Sequence, residues 1–188
     1  MTKPGKIHKK RKKRKGLSSE NKRLFLYHDD LTMECESYIT SNFSSPSKPL
    51  YRWTKAPITQ RDFVPQYYLG IVKEETLDID LTTEELVERI TVSMHTSEEA
   101  SISAYKGILT KLEKKDEKEL NDPAFGHKAQ FTSRCGGHVS KFNLTEDDAL
   151  VGEENNKGHV NVIFKKDFDF ERCLDETFGT KKILEDEI

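Results

Sequence analysis

Three cysteines in 188 residues, Cys35, Cys135 and Cys173, are too few and too widely spaced for a disulfide framework. Reduced thiols in the cytoplasm are the simpler reading, or in the nucleus if the source is eukaryotic. No stretch approaches the ~18 apolar residues that span a bilayer. A secretory leader needs an apolar segment of about 7–15 residues after its basic start. Here Gly16-Leu17-Ser18-Ser19-Glu20-Asn21-Lys22 stands in that place and excludes it. Apolar residues make up 34% of the chain, below the roughly 45–50% of ordinary globular proteins, so any core is modest and heavily solvated. There is no Gly-x-Gly-x-x-Gly turn, phosphate-binding loop or His-Glu-x-x-His helix, and no solenoid or propeller repeat. No cofactor is expected from these motifs.

What is present is a strong imbalance of charge along the chain. The first sixteen residues hold nine Lys or Arg and no acid, with Lys9, Lys10, Arg11, Lys12, Lys13, Arg14 and Lys15 unbroken. The other 22 basic and all 33 acidic side chains follow, so a tail of about +9 precedes a body of about −11. Each cation that neutralises a phosphate releases condensed counterions, which favours nucleic acid as the partner of this run. The run has no interleaved aromatics, so backbone phosphate rather than stacked bases is the expected contact. An acidic protein partner, the acidic body itself, a nuclear import address and a plain solubilising tail share the same chemistry. Because the body repels phosphate, the run reads as a tether, with specificity lying beyond residue 23. The favoured function on these grounds is a non-enzymatic accessory or binding protein.

Length and pattern predict residues 1–23 as a disordered basic tail and 24–188 as one compact α+β domain of short strands with two or three helices. Residues 24–40 read equally as a short helix or a strand pair, and Ser44-Ser45-Pro46-Ser47-Lys48-Pro49 as a loop. Leu50-Tyr51-Arg52-Trp53 is strand-like. In Asp62-Phe63-Val64-Pro65, Phe63 is expected to anchor a turn to the core. Thr82-Thr83-Glu84-Glu85 is a capping-box pattern before Leu86, Val87 and Ile90, which recur at helical spacing. Ile90-Thr91-Val92-Ser93-Met94 alternates as a strand does. Thr96-Ser97-Glu98-Glu99 repeats the capping pattern ahead of Ala100, Ile102, Ala104 and Tyr105. Gly107 reads as a stop, Ile108-Leu109-Thr110-Lys111-Leu112 as a strand, and the charge run 113–122 as a loop or frayed helix. Residues 125–142 have no clean period. His159-Val160-Asn161-Val162-Ile163-Phe164 is the best strand of the second half. Residues 171–188 suit a short acidic helix and a loose end.

Several constellations bear on chemistry. Cys135-Gly136-Gly137-His138 has the Cys-x-x-His separation of some zinc knuckles, with His127, His159 and Cys173 available to complete a tetrahedron. None of these forms a second close pair, so a glycine turn beside a buried thiol is the expected structure. Cys135 with His138 as nucleophile and base needs a depressed thiol pKa that spacing alone does not supply. Gly126-His127, Gly137-His138 and Gly158-His159 repeat a dipeptide. Two-histidine phosphoesterases pair such histidines with hydroxyl residues two positions on, and Asn161 departs from that. Asp147-Asp148 with Glu153-Glu154 lacks the rhythm of a calcium loop, and solvated loop acids are expected.

Tyr51-Arg52 on an early strand, then Val92-Ser93-Met94-His95-Thr96-Ser97-Glu98-Glu99-Ala100 leading into a helix, resembles the order in small ADP-ribosyltransferase-like toxin domains. The resemblance covers about residues 50–105 and no family resemblance covers the whole chain. It implies that Arg52 contacts a nicotinamide dinucleotide, that the Ser93 strand supports the pocket, and that a later Glu or Gln acts on the ribose. Glu153, Glu154 and Glu171 are the acids placed late enough, none in a diagnostic context. This alternative, a small nucleotide-using enzyme, requires Arg52 and Ser93 to face one concave pocket near a carboxylate.

Overall fold

The helix at Thr83–Ile90 starts where its capping residues dictate. Thr82 Oγ1 accepts from the backbone N–H of Glu85 at 3.2 Å, and the Glu85 carboxylate accepts from the Thr82 N–H at 2.8 Å. Such a cap stabilises a helix by about 1 kcal/mol. In the computed structural model, which describes residues 33–65, 81–120 and 122–184, the elements run in the following order. Helix α1 (Met33–Asn42) precedes strand β1 (Leu50–Thr54), a 3-10 turn (Gln60–Phe63), α2 (Thr83–Ile90), β2 (Val92–His95) and α3 (Glu98–Glu119). Then come α4 (His127–Cys135), β3 (His138–Phe142), β4 (Ala149–Val151), β5 (His159–Phe164), α5 (Phe170–Cys173) and β6 (Thr180–Lys182). The basic run from Lys9 to Lys15 and residues 24–32 lie outside the described residues. None of the described helices is long and apolar enough to cross a membrane.

The chain is α+β. Among the described residues six strands form one antiparallel sheet in the order β4-β5-β2-β1-β3-β6. Alternation along the strands sends two sets of side chains to opposite faces. Leu50, Val92, Met94, Phe142, Val160, Val162 and Phe164 pack with Phe63, Phe168 and Cys173 on one face. On the other, Ile163 meets Cys35 and Ile39 of α1 and Val87 and Ile90 of α2. Beside it, Tyr51, Trp53 and Val139 meet Tyr105 and Leu109 of α3 and Phe131 of α4. The sheet ends in short edges: the outer side of β4 is paired by Ser44 with Val151, and β6 is three exposed residues, Thr180-Lys181-Lys182.

The strands at 50, 92 and 159 stand where alternation predicts them, and Phe63 anchors its turn with its side chain fully buried. Three expectations are corrected. Gly107 does not stop α3, and Ile108–Leu112 is helix, not strand. The apolar stripe Ile102, Tyr105, Leu109, Leu112 continues across the glycine at helical spacing and packs against α4 and β3. That burial outweighs the ~1 kcal/mol a helical glycine costs. The capping residue of α3 is Ser97 rather than Thr96, with Ser97 Oγ accepting from the Ala100 N–H at 3.1 Å.

The described residues hold five α-helices where two or three were expected. The extra ones form where the chain has little apolar period. Helix α4 buries Phe131 alone, and its N-terminus is capped by a neighbour: Asp116 of α3 accepts from the backbone N–H groups of His127 and Lys128 at 2.7 and 2.9 Å.

One acid of each pair in the β3–β4 and β4–β5 loops is a structural staple, while Asp147 and Glu153 are exposed as expected. Asp148 is buried, accepts from the Thr145 N–H at 2.8 Å and its hydroxyl at 2.6 Å, and pairs with Arg172. Glu154 is bonded to Lys48 at 2.6 Å and to the Thr96 hydroxyl at 2.6 Å.

Candidate functional site

Arg52 interrupts the middle of the sheet. Strand β1 pairs with β3 along all five residues, but its register with β2 is the single pair Tyr51↔His95. Beyond that pair the guanidinium of Arg52 lies between the strands. Its Nη1 donates to the backbone carbonyl of Ser93 at 2.6 Å, and its Nε donates to the carbonyl of Asp62 at 2.6 Å. A side chain thus takes up a β2 carbonyl that a continuous ladder would bond to β1. Burial lowers the Arg52 pKa to about 10, partly offset by Cys135 and Asp62, and the group stays cationic at neutral pH.

A cavity of about 540 Å³ opens at this gap. Neighbours on a strand point to opposite faces, yet Arg52 and Trp53 both line it, as do Val92 and Ser93. The cavity is therefore set into the divide between β1 and β2 rather than laid over one face. Its volume falls within the roughly 300–1,000 Å³ of small-molecule sites.

Its charge opposes that of the body. Among the described residues, Arg52, Arg61, Arg89, Arg134 and Lys157 line it against two carboxylates, Asp62 and Glu88. Asp62 is already engaged, accepting from the Thr59 N–H at 2.8 Å and hydroxyl at 3.2 Å. The site thus concentrates positive charge on a domain whose overall balance is acidic.

Two histidines meet in the same cavity. Strands β2 and β5 are antiparallel with His95 directly opposite His159, and their ring centroids are 5.7 Å apart. His95 is 3% exposed and lies 5.4 Å from the ring of Trp53, while its Nδ1 is buried without a hydrogen-bond partner. Burial, then the proximity of His159 and Arg52, pushes the His95 pKa down to about 4. Burial also lowers His159, against an opposing pull from Glu88. Both shifts favour the neutral imidazole at pH 7.

The surroundings are fixed. Trp53 Nε1 donates to the Ser101 carbonyl at 2.9 Å, and its indole packs edge-on against Tyr105 and Phe131. Asn155 Oδ1 accepts from the N–H groups of Lys157 and His159 at 2.9 and 3.1 Å, closing the turn that sets Lys157 beside the cavity. Gly158 holds φ +71 there, and a Cβ would come within 3.0 Å of both Ala100 Cβ and Thr96 Oγ1. The turn is thereby seated against the start of α3, where Thr96 N–H donates to the Gly158 carbonyl at 2.8 Å.

No family model, curated protein or solved structure matches the chain.

The sequence candidates distribute as follows. Arg52 and Ser93 come together at the cavity, with Asp62 and Glu88 on its wall. Cys135, half-buried, lines it too. His138 opens β3 with a buried Nδ1 lacking a partner. Among the described residues no three His, Cys, Asp or Glu side chains gather as a metal site. His127 is bonded to Glu119 at 2.9 Å. Cys173 belongs to the opposite face of the sheet, its thiol pKa pushed up to about 12 by burial and by Asp148. Glu154 is held by Lys48 and Thr96, and Glu153 and Glu171 are exposed and absent from the cavity lining.

Sequence reasoning missed Trp53, His95, Arg61, Arg89, Arg134 and Lys157 as site residues, and it valued His159 only within the Gly-His repeat and as a zinc-ligand candidate. A usable signal existed for the histidines. His95 ends one predicted strand and His159 begins another, and these ends coincide when the two strands pair antiparallel.

Proposed function

We propose that the cavity binds a nicotinamide dinucleotide and that the chain is a small nucleotide-using enzyme of the ADP-ribosyltransferase-like type. The observation that carries this reading is the meeting of Arg52 and Ser93, from two separate strands, at one cationic cavity beside an indole ring. The dinucleotide is consumed, so it is a substrate and not a resident cofactor. Each part of the site suits it. Guanidinium groups match the two-oxygen face of a phosphate, and several together offset the charge of a diphosphate. Trp53 offers an aromatic edge to a base or to nicotinamide. Arg52 is immobilised by two carbonyls and pre-organised, so little ordering cost remains at binding.

Trp53 is the only tryptophan of the chain and lies in the cavity, which makes its fluorescence the direct test. Titration with NAD is expected to change Trp53 emission saturably. Arg52→Lys, which keeps the charge but loses the fork, should weaken binding by about 10-fold, the worth of one charged hydrogen bond. An emission spectrum indifferent to millimolar NAD, from protein with native circular dichroism, would overturn the reading.

The segregation of charge supports a second role for the first sixteen residues, that of a tether to nucleic acid or to an acidic partner. Affinity for a polyanion such as single-stranded RNA should then fall steeply with salt, by about 0.7 log units per log unit of salt for each neutralised phosphate. Deleting residues 1–16 should abolish that binding while leaving the NAD response of Trp53 intact. Equal RNA affinity of the shortened chain would refute the tether.

A further inference from the structure

We infer that His159 is the general base of this site, with Glu88 balancing its imidazolium and His95 holding the bound ligand through its unpartnered ring nitrogen. This rests on the reading of the cavity as a dinucleotide site and goes beyond it, because the resemblance implies a Glu or Gln acting on the ribose. The fold leaves that position to a histidine. On β5, the strand paired with β2, the residue that reaches the cavity is His159, opposite His95. Asn161, opposite Ser93, is absent from the lining. Of the late acids, Glu154 is committed to Lys48 and Thr96, and Glu153 and Glu171 do not line the cavity. A carboxylate does reach the site from another element: Glu88, exposed on α2, acts electrostatically on His159.

The division of labour follows from burial. His159 is half-buried and accessible from the cavity, whereas His95 is 3% exposed and packed on Trp53. A buried ring nitrogen without a partner costs free energy. A ligand hydroxyl brought within reach of this nitrogen on binding would recover that cost. His95 is thus a positioning residue for the ligand, and His159 meets the acceptor.

In the step, the bond between the ribose C1′ and the nicotinamide nitrogen breaks, and its electron pair leaves with nicotinamide, which becomes neutral. The acceptor oxygen, from water or another hydroxyl compound, forms the new bond to C1′. Its proton passes to a ring nitrogen of His159, and no oxidant or reductant is needed. The charged and titratable groups sharing the wall with His159 are His95 on β2, Glu88 and Arg89 on α2, Lys157 in the turn before it, Arg52 on β1, and Arg61, Asp62, Arg134 and Cys135 from neighbouring segments. Burial disfavours the imidazolium and Glu88 partly restores it, so the rate should rise with pH along a limb set by His159.

The full-length protein is assayed for nicotinamide release from NAD, in parallel with Trp53 fluorescence for binding. His159→Ala is expected to lower kcat about 10²- to 10⁴-fold, the usual worth of a general base, with affinity for NAD changed less than threefold. The acid limb of the pH profile should vanish with it. Glu88→Gln should move that limb to lower pH, and His95→Ala should raise KM more than it lowers kcat. His159→Asn, closer in shape, guards against a folding defect and should behave as His159→Ala. Full turnover by either His159 variant would overturn the assignment while leaving the cavity reading intact. NAD binding by the wild type without any nicotinamide release, with water or with added hydroxyl acceptors, would also overturn it. Absence of NAD binding would instead end the cavity reading, and this inference with it.

Discussion

Replacing Gly136 by Ala should cost about 2–6 kcal/mol of folding stability, from backbone strain and from steric overlap together. Gly136 follows α4 with φ +75 and ψ −174, a region of backbone space that is nearly closed to residues with a Cβ. A Cβ there would lie 2.1 Å from the carbonyl oxygen of Thr54, 2.5 Å from its carbon and 2.8 Å from the nitrogen of Lys55. All three are backbone atoms, so no side chain can rotate away. The end of β1 would have to move, and β1 carries Arg52. The carbonyl of Gly136 also accepts from the buried Tyr105 hydroxyl at 2.5 Å, which ties the same turn to α3. Urea denaturation of Gly136→Ala should show the loss as a lowered midpoint. A shift equivalent to less than about 1 kcal/mol would mean the turn is not locked as described. Whatever folded Gly136→Ala remains should also bind NAD more weakly than the wild type.

Phe63→Ala should cost about 3–5 kcal/mol, the usual range for emptying a buried phenylalanine site. Phe63 is fully buried, with its ring edge-on to Phe142, Phe164 and Phe168 and stacked on Phe170 at centroid separations of 5.2–5.7 Å. Those partners come from β3, β5 and the segments after β5, so a hollow at Phe63 cannot be filled by one neighbour moving. The effect reaches the site through the chain itself. The carbonyl of the preceding residue, Asp62, accepts from Arg52 Nε. Loosening the turn should therefore lower the midpoint of urea denaturation and weaken the NAD response of Trp53 together. Phe63→Leu, which retains most of the volume, should lose less of both. Unchanged stability in Phe63→Ala would overturn the packing argument.

How much of this was readable beforehand depends on the range of the interaction concerned. The cap at Thr82 and the strands at Leu50, Val92 and His159 are local, and their residues announce them. The cap of α3 falls one residue later than expected, at Ser97 instead of Thr96. Phe63 was legible as an anchor because a lone aromatic in a polar, proline-bounded turn has few other uses. Helix α4 was not, since its cap is supplied by Asp116, eleven residues before His127 and on another helix. Gly107 misled because glycine punctuates an isolated helix, whereas here the packing of Tyr105 and Leu109 on both sides carries the helix through it.

The site was half legible. That Arg52 and Ser93 should share one pocket was what the resemblance to ADP-ribosyltransferase-like domains implied, and both line the cavity. What Arg52 does there did not follow from it, because its partners are backbone carbonyls, which every residue possesses. The cations of the cavity were hidden by averaging. Arg61, Arg89, Arg134 and Lys157 are scattered through an acidic body, and only the packing of α2, α4 and two turns around the sheet brings them to one wall. The histidine pair depended on β5 lying beside β2, a juxtaposition set by sheet order across more than sixty residues of sequence.

The two margins of the sheet have a consequence for the protein in a crowd. A polyanion that gathers basic arms would hold many copies side by side, the condition under which open strand edges join and grow into fibres. Strand β4 meets Ser44 on its outer side, and β6 is a three-residue strip bearing Lys181 and Lys182. Such margins give an incoming strand little to zip onto and place like charges opposite each other. Crowding along a polyanion, if the proposed tether holds, would then leave each molecule separate, its two sheet margins unpaired with those of its neighbours.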